Sequence, residues 1–129
     1  MYDSIWYDLL SKPPFTPPSG IFLPVWVFMY STIVVSLIQF TVKPISYNKI
    51  KGLTYFIIHM ILNIIWSPAF FLFKNIGLAM IIIIFMIITG ILMLIEFFKV
   101  SKLSVYILIP YFLWIFFALY LNIGFFVLN

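Results

Sequence analysis

Charged side chains occupy few positions along this chain, and they fall in groups: Asp3, Asp8 and Lys12, then Lys43, Lys49 and Lys51, then Lys74, then Glu96, Lys99 and Lys102. Between the groups run four stretches without any charge, Pro13–Val42, Gly52–Phe73, Asn75–Ile95 and Leu103–Asn129. Each exceeds the about 20 residues needed to cross about 30 Å of hydrocarbon at about 1.5 Å per residue. The pattern predicts an all-α, polytopic membrane bundle, one domain over 1–129, with four transmembrane helices at 19–42, 52–73, 76–98 and 103–127. Residues 1–18 precede the first span as a proline-rich outer loop. A polar loop at 43–51, the tight turn Lys74-Asn75 and the stretch around Lys99–Lys102 connect the spans, so the second and third must be antiparallel neighbours.

A water-soluble helical core would give each helix a polar face, and "MIIIIFMIITGILMLI" has none. That third span reads as a featureless strut, facing lipid or packing. The other three each carry one proline: Pro24, expected to kink the first near its outer end; Pro68, near the outer end of the second; and Pro110, interrupting the fourth. "KPPFTPPSGIFLPVW", Lys12 to Trp26, is too proline-rich for helix interior or sheet, because each ring fixes φ and removes a backbone donor. A secretory signal is excluded, since the first twelve residues are acidic and aromatic with no basic leader.

Composition agrees with the spacing. Hydrophobic residues make up 66% of the chain and charged residues 8%, against roughly 45–50% and roughly 25% in soluble domains. The net charge of +4 would suit nucleic acid, but every cation is a lysine in a connector. Loop lysines follow the positive-inside rule instead: the face carrying Lys43, Lys49, Lys51, Lys99 and Lys102 is expected in the cytoplasm, and both chain ends opposite it. There is no cysteine, hence no disulfide and no thiolate metal site.

Polar groups are costly in hydrocarbon, so those inside the spans carry the information. His59, Asn63 and Ser67 recur every four residues on the second helix and Phe70 follows three later, all on one face. Trp26 and Tyr30 repeat that spacing on the first helix, and Trp114, Ala118 and Asn122 on the fourth. Most of these groups lie roughly 8–16 Å below the outer helix ends, with Trp114 roughly 20 Å deep. The three stripes can therefore meet around an aromatic cavity in the outer half of the membrane, with residues 12–18 as a stiff rim over it. Singly, each residue has a plainer role. Trp26 and Trp66 suit the interfacial aromatic belt, Asn63 and Ser67 suit helix–helix contacts, and the lone His59 suits a satisfied packing residue better than a haem ligand. No catalytic triad, metal cluster or phosphate loop is present, and no carboxylate lies deep in the bilayer, because Glu96 sits three residues before Lys99 at a helix end.

The segments "WYDLLSKPPFTPPSGIFLPVW", "LNIIWSPAFF" and "IPYFLWIFFALYLN" resemble the signature stretches of TspO/MBR proteins, the tryptophan-rich sensory or translocator proteins, in the family's order from Trp6 to Asn129. The resemblance implies a five-helix membrane bundle, often dimeric, that binds tetrapyrroles such as protoporphyrin, sterols in animals, and benzodiazepine-type ligands beneath the loop between its first two helices. It implies ligand-binding roles for Tyr7, Trp26, Tyr30, Asn63, Ser67, Phe70, Trp114 and Ala118. No cofactor is required and no enzymatic role is expected; any porphyrin breakdown would rest on tryptophan, light and oxygen. The chain departs from the family pattern at Phe15, where tryptophan is usual, near Ile82, where a carboxylate is frequent, and in "LNIGFFVLN", which lacks the tyrosine and arginine of the animal sterol motif. The family's first helix also has no counterpart, and "MYDSIWYDLL" looks like the interior of a family member, so the expectation is a start placed too late.

The expected function is that of a receptor or carrier for a porphyrin-like apolar ligand, embedded in the lipid bilayer, with no nucleic-acid partner. Trp26 and Trp114 would stack on the ligand, Asn63 and Ser67 would orient it, and Lys12 would pair with a propionate. Two other readings stand beside it: a structural or regulatory subunit whose stripes dock a partner helix, and a four-helix transporter, which needs a coupling charge.

Overall fold

The computed structural model describes residues 4–129; Met1–Asp3, and with them the acid Asp3 counted above, lie outside the described residues. All the regular structure of the described residues is helical. A short helix α1, Ser4–Leu9, is followed by the proline segment, and a single 3-10 turn, Ser19–Ile21, leads into α2, Phe22–Thr41. Then come α3, Tyr47–Ser67, extended by a π-helical turn Pro68–Leu72; α4, Ile76–Val100; and α5, Lys102–Leu128. Helices α2 to α5, with the π turn continuing α3, are long and apolar enough to cross a membrane, as the charge-free windows predicted.

The long helices pack in the spatial order α3, α4, α5, α2. Between the expected lipid-facing and packing roles, α4 takes the second. Ala79, Ile82, Ile83, Met86, Ile87, Gly90, Met93, Glu96 and Phe97 are buried along it, between α3 and α5. An all-aliphatic sequence hides this face because lipid and protein favour the same side chains. Gly90 lets α5 approach closely: a Cβ there would come within 2.5 Å of the Phe112 ring.

Several boundaries differ from the expectation, each for a local reason. The loop expected at 43–51 is shorter, because Ser46 caps α3 by accepting a bond from the Lys49 amide at 3.1 Å. Lys49 Nζ then turns back to the carbonyls of Thr41 and Lys43 at 2.9 and 2.6 Å, placing a cation on the carbonyl end of α2. Pro24 falls in the first turn of α2, where the ring has almost no preceding helix to clash with, so it does not divide the span. Pro110 lies inside α5, and the helix continues through it. Pro68 has the larger effect: it opens the π turn, in which the Phe73 amide reaches back to the Pro68 carbonyl at 2.9 Å. The turn after it forms as expected, with Lys74 at φ 54° and Asn75 capping α4 through the Leu78 amide at 3.0 Å.

The segment expected as an outer loop contains α1, and it is tied down at both ends. Lys12 Nζ donates to the carbonyls of Tyr7, Asp8 and Leu10 at 3.2, 3.3 and 3.3 Å, closing the end of α1. Beyond it, the Ser11 amide donates to Asn129 Oδ1 at 3.0 Å and Asn129 Nδ2 donates to the Ser11 carbonyl at 2.9 Å. The Tyr120 hydroxyl donates to the Pro14 carbonyl at 2.6 Å. Pro13 packs against Gly124, where an added Cβ would come within 2.5 Å of its ring. The proline segment is thereby a cap fastened to the end of α5.

Candidate functional site

Inside the bundle lies a cavity of about 540 Å³ bounded by all four spans and α1. The expected rim 12–18 is not part of it, because Pro13 and Pro14 pack against Tyr120 and Gly124 of α5, which do not line the cavity. α1 contributes Tyr7; α2 contributes Trp26 and Tyr30; α3 contributes Asn63 and Ser67; the π turn contributes Phe70; α5 contributes Trp114, Ala118 and Asn122. The residues that helical spacing and family resemblance single out therefore line one space. Of the stripe on α3, His59 is the exception: it is 1% exposed and sits behind the wall.

The wall is aromatic, with edge-to-face pairs within α2 and between α2 and α5 and a stacked pair at the π turn. Trp26 meets Tyr30 at 6.3 Å between ring centroids and 67°, and Phe22 meets Trp114 at 6.2 Å and 65°. Trp66 lies over Phe70 at 5.3 Å and 26°. Tyr7 closes the top, with its ring 5.6 Å from Phe125 and 5.9 Å from Phe71. Edge-to-face pairing is a favoured geometry between aromatic rings and leaves ring faces available for stacking. None of the lining residues carries a formal charge, so the site accepts a neutral or delocalised apolar body and orients it with a few amide and hydroxyl groups.

Two hydrogen-bonded chains set those polar groups. In the first, the Tyr30 hydroxyl donates to Asn63 Oδ1 at 2.6 Å, and Asn63 Nδ2 donates to the Tyr111 hydroxyl. Tyr111 meets His59 Nε2 at 2.7 Å, and His59 Nδ1 meets the Met86 carbonyl at 2.8 Å. In the second, Trp66 Nε1 donates to Asn122 Oδ1 at 3.0 Å, and Asn122 Nδ2 donates to the Ile76 carbonyl at 3.1 Å.

The hydrogen bonds bear out His59 as a satisfied packing residue and correct two other expectations, for Trp66 and Lys12. Both ring nitrogens of His59 are engaged, so it has none left for a haem iron. Trp66 is not an isolated belt residue: it lines the cavity with its indole N–H bound to α5. Lys12 does not face a propionate, because its ammonium is committed to the end of α1 and lies 5.0 Å over the Tyr7 ring. Phe15, where tryptophan was expected from the resemblance, is 88% exposed and lies outside the cavity wall.

Sequence reasoning missed part of the wall. Phe22, Phe71, Leu121 and Phe125 close the upper rim, and Met29, Ile33, Ile83, Met86, Tyr111 and Ile115 form the floor. The floor residues are apolar side chains among many apolar side chains, with no spacing that separates them from lipid-facing neighbours. Tyr111 did carry a signal, being a hydroxyl deep in the fourth span.

Residues 2–128 match the family model described as the TspO/MBR family. The chain belongs to the TspO/MBR family. Among its relatives, the tryptophan-rich protein TspO of Bacillus cereus is 36% identical over 93% of this chain and 78% of its own length. The protein of that name from Chlorobaculum tepidum is 32% identical over 98% of this chain and 80% of its own. The translocator protein of Sus scrofa is 28% identical over 91% and 70%. Family membership and the four apolar helices together make the chain an integral membrane protein.

Proposed function

We propose that this TspO/MBR protein is a membrane receptor or carrier for a flat, largely apolar ligand of the tetrapyrrole class, held in the cavity enclosed by α1 and the four spans. The observation that carries the reading is the convergence of Trp26, Tyr30, Asn63, Ser67, Trp114 and Ala118 from three different helices on one uncharged cavity. Trp26 and Trp114 supply flat faces for stacking, and Asn63, Ser67 and Tyr30 orient the guest at its edge. Binding is the whole of the proposed activity. Among the described residues no carboxylate, thiol or free imidazole faces the cavity, so acid–base turnover has no agent there.

The test is a titration of the purified protein with protoporphyrin, read by quenching of tryptophan fluorescence. A Trp26→Phe, Trp114→Phe double variant keeps Trp6 and Trp66 as reporters and should bind about tenfold more weakly, the sum of two stacking contacts of about 0.7 kcal/mol. An unchanged affinity ends the stacking role.

In the bilayer the five lysines at 43–51 and 99–102 face the cytoplasm by the positive-inside rule, which puts the cap on the opposite side. Labelling of Lys43 from one side of sealed vesicles checks this. A homodimer accords with the family resemblance, and cross-linking in the native membrane reads it directly.

A second reading has one observation behind it: α2 and α3 hardly touch outside their lysine-rich ends, and the Tyr30–Asn63 bond spans the space between them. That opening would accept a further apolar helix, making the chain one part of a larger bundle. Co-purification of a co-expressed single-span helix, unaffected by porphyrin, would favour docking over ligand binding. Proton-coupled transport has no comparable support, since Glu96 is paired with Lys51 and Lys99 at 3.6 and 3.3 Å, away from the cavity.

A further inference from the structure

The chain from Tyr30 to Met86 has a direction, and its far end sets it. The Met86 carbonyl has no hydrogen to give, so His59 Nδ1 must carry one and donate it across 2.8 Å. His59 is 1% exposed inside the membrane and, among the described residues, is bonded to the Met86 carbonyl and the Tyr111 hydroxyl and to no carboxylate, so its imidazole is neutral and Nε2 is a bare acceptor. Tyr111, 2.7 Å away, must then spend its only hydrogen on Nε2. Its oxygen is left to accept, which requires the nitrogen side of the Asn63 amide to face it. The Asn63 carbonyl consequently faces Tyr30, whose hydroxyl hydrogen goes to it at 2.6 Å. With the amide turned the other way, Tyr111 would have to supply two hydrogens, and it owns one.

We infer that His59, without touching the cavity, sets the hydrogen-bonding character of its wall: Tyr30 can only accept, so the site favours guests that present an N–H or O–H at that edge. Asn63 does not decide the matter. One of its hydrogens and one of its carbonyl lone pairs are committed to the chain, leaving it one of each. Tyr30 has its hydrogen committed and a lone pair to spare. His59 is thus a positioning residue acting through Tyr111 and Asn63, and selectivity resides at Tyr30. The inference rests on the cavity being the ligand site proposed above, and it adds the chemical class that the site prefers.

Three rigid planar probes separate the possibilities: carbazole, which carries an N–H; dibenzofuran, of nearly the same shape, whose ring oxygen only accepts; and N-methylcarbazole, which carries neither. Binding to the full chain in lipid nanodiscs is read by tryptophan quenching. Carbazole should bind about 3- to 10-fold more tightly than either of the others, the yield of one net hydrogen bond. Tyr30→Phe should erase the preference. His59→Leu removes the acceptor at the head of the chain, frees the Tyr111 hydrogen to turn toward Asn63, and should erase or reverse the preference in favour of dibenzofuran. His59→Gln, whose amide can donate to Met86 and accept from Tyr111, should restore it. A merely structural His59 would weaken all three probes together and leave their ratio unchanged. If wild-type protein binds the three probes equally, the inference fails while the cavity remains a ligand site. If neither the probes nor protoporphyrin bind, the site itself is refuted. Should His59→Leu fail to fold, Tyr30→Phe decides alone: a carbazole preference that survives it overturns the proposal.

Discussion

The two ends of this bundle are built from the same four helices and packed in opposite ways. At the lysine-rich end Phe40 and Phe97 stack face to face, 3.8 Å between centroids and 7° apart, and both rings lie on Gly52, where an added Cβ would come within 3.1 Å of each. Around them Ser36 donates to the Ser104 carbonyl at 2.7 Å, the Ser104 hydroxyl reaches Ser101 at 3.0 Å, and Glu96 is 3% exposed between two lysines. At the capped end the aromatic groups outnumber those below, yet they stand 4.8–6.3 Å apart around an open volume. Dense packing at one end holds the helices in register, so the other end can remain splayed without collapse. Helix association in lipid comes from van der Waals fit and interhelical hydrogen bonds rather than from expulsion of water, and the closed end supplies both around Phe40 and Phe97.

The sharpest way to break this contrast is to remove an aromatic ring from each end. Phe40→Ala should lower stability by about 3–5 kcal/mol, because the fully buried ring leaves a void that Gly52 and Phe97 cannot fill. Trp26→Ala deletes a larger side chain but opens onto existing space, and should cost clearly less. Denaturation of both variants in the same detergent measures the difference. Equal losses would mean that the capped end is as tightly packed as the lysine-rich end, and that the cavity does not persist.

A smaller effect tests what keeps the capped end from closing. Asn122 is 1% exposed and joins Trp66 on α3 to the Ile76 carbonyl at the start of α4. Asn122→Leu preserves the volume but leaves the Trp66 N–H and a backbone carbonyl without partners, which should cost about 1–3 kcal/mol. The emission of Trp66 should also shift as its ring leaves its seat over Phe70. A stable variant with an unshifted spectrum would show that aromatic packing alone positions the wall.

How far the sequence could be read follows from this contrast. Charges placed the spans to within a few residues, since hydrocarbon excludes them and connectors do not. The stripes of Trp26 and Tyr30, of Asn63, Ser67 and Phe70, and of Trp114, Ala118 and Asn122 were visible because polar and amphipathic side chains are rare in these helices, and the structure sets them around one space. The closed end was invisible. Phe40, Gly52 and Phe97 come from three helices, and in a chain where 66% of residues are hydrophobic nothing marks which phenylalanine meets another. α1 was hidden for a different reason: its closure depends on Lys12 folding back onto the carbonyls of Tyr7, Asp8 and Leu10, a contact that appears only once the chain has turned. His59 was noticed, yet its place in a directed chain depends on the Met86 carbonyl, a backbone group that no side-chain pattern reports.

The smallest expected effect concerns the cap. Its fastening to α5 has three parts: the reciprocal pair between Ser11 and Asn129, the Tyr120 bond to the Pro14 carbonyl, and the seat of Pro13 on Gly124. The Ser11–Asn129 bonds are exposed, where water can replace them, so Asn129→Ala should change overall stability by less than about 1 kcal/mol. Its consequence should be local. The Ser11 amide loses its acceptor, and hydrogen exchange there should quicken while amides in the middle of α5 keep their protection. If the whole of α5 exchanges faster instead, the cap is part of the rigid frame, and the division into a braced end and an openable end must be redrawn with the proline segment on the braced side.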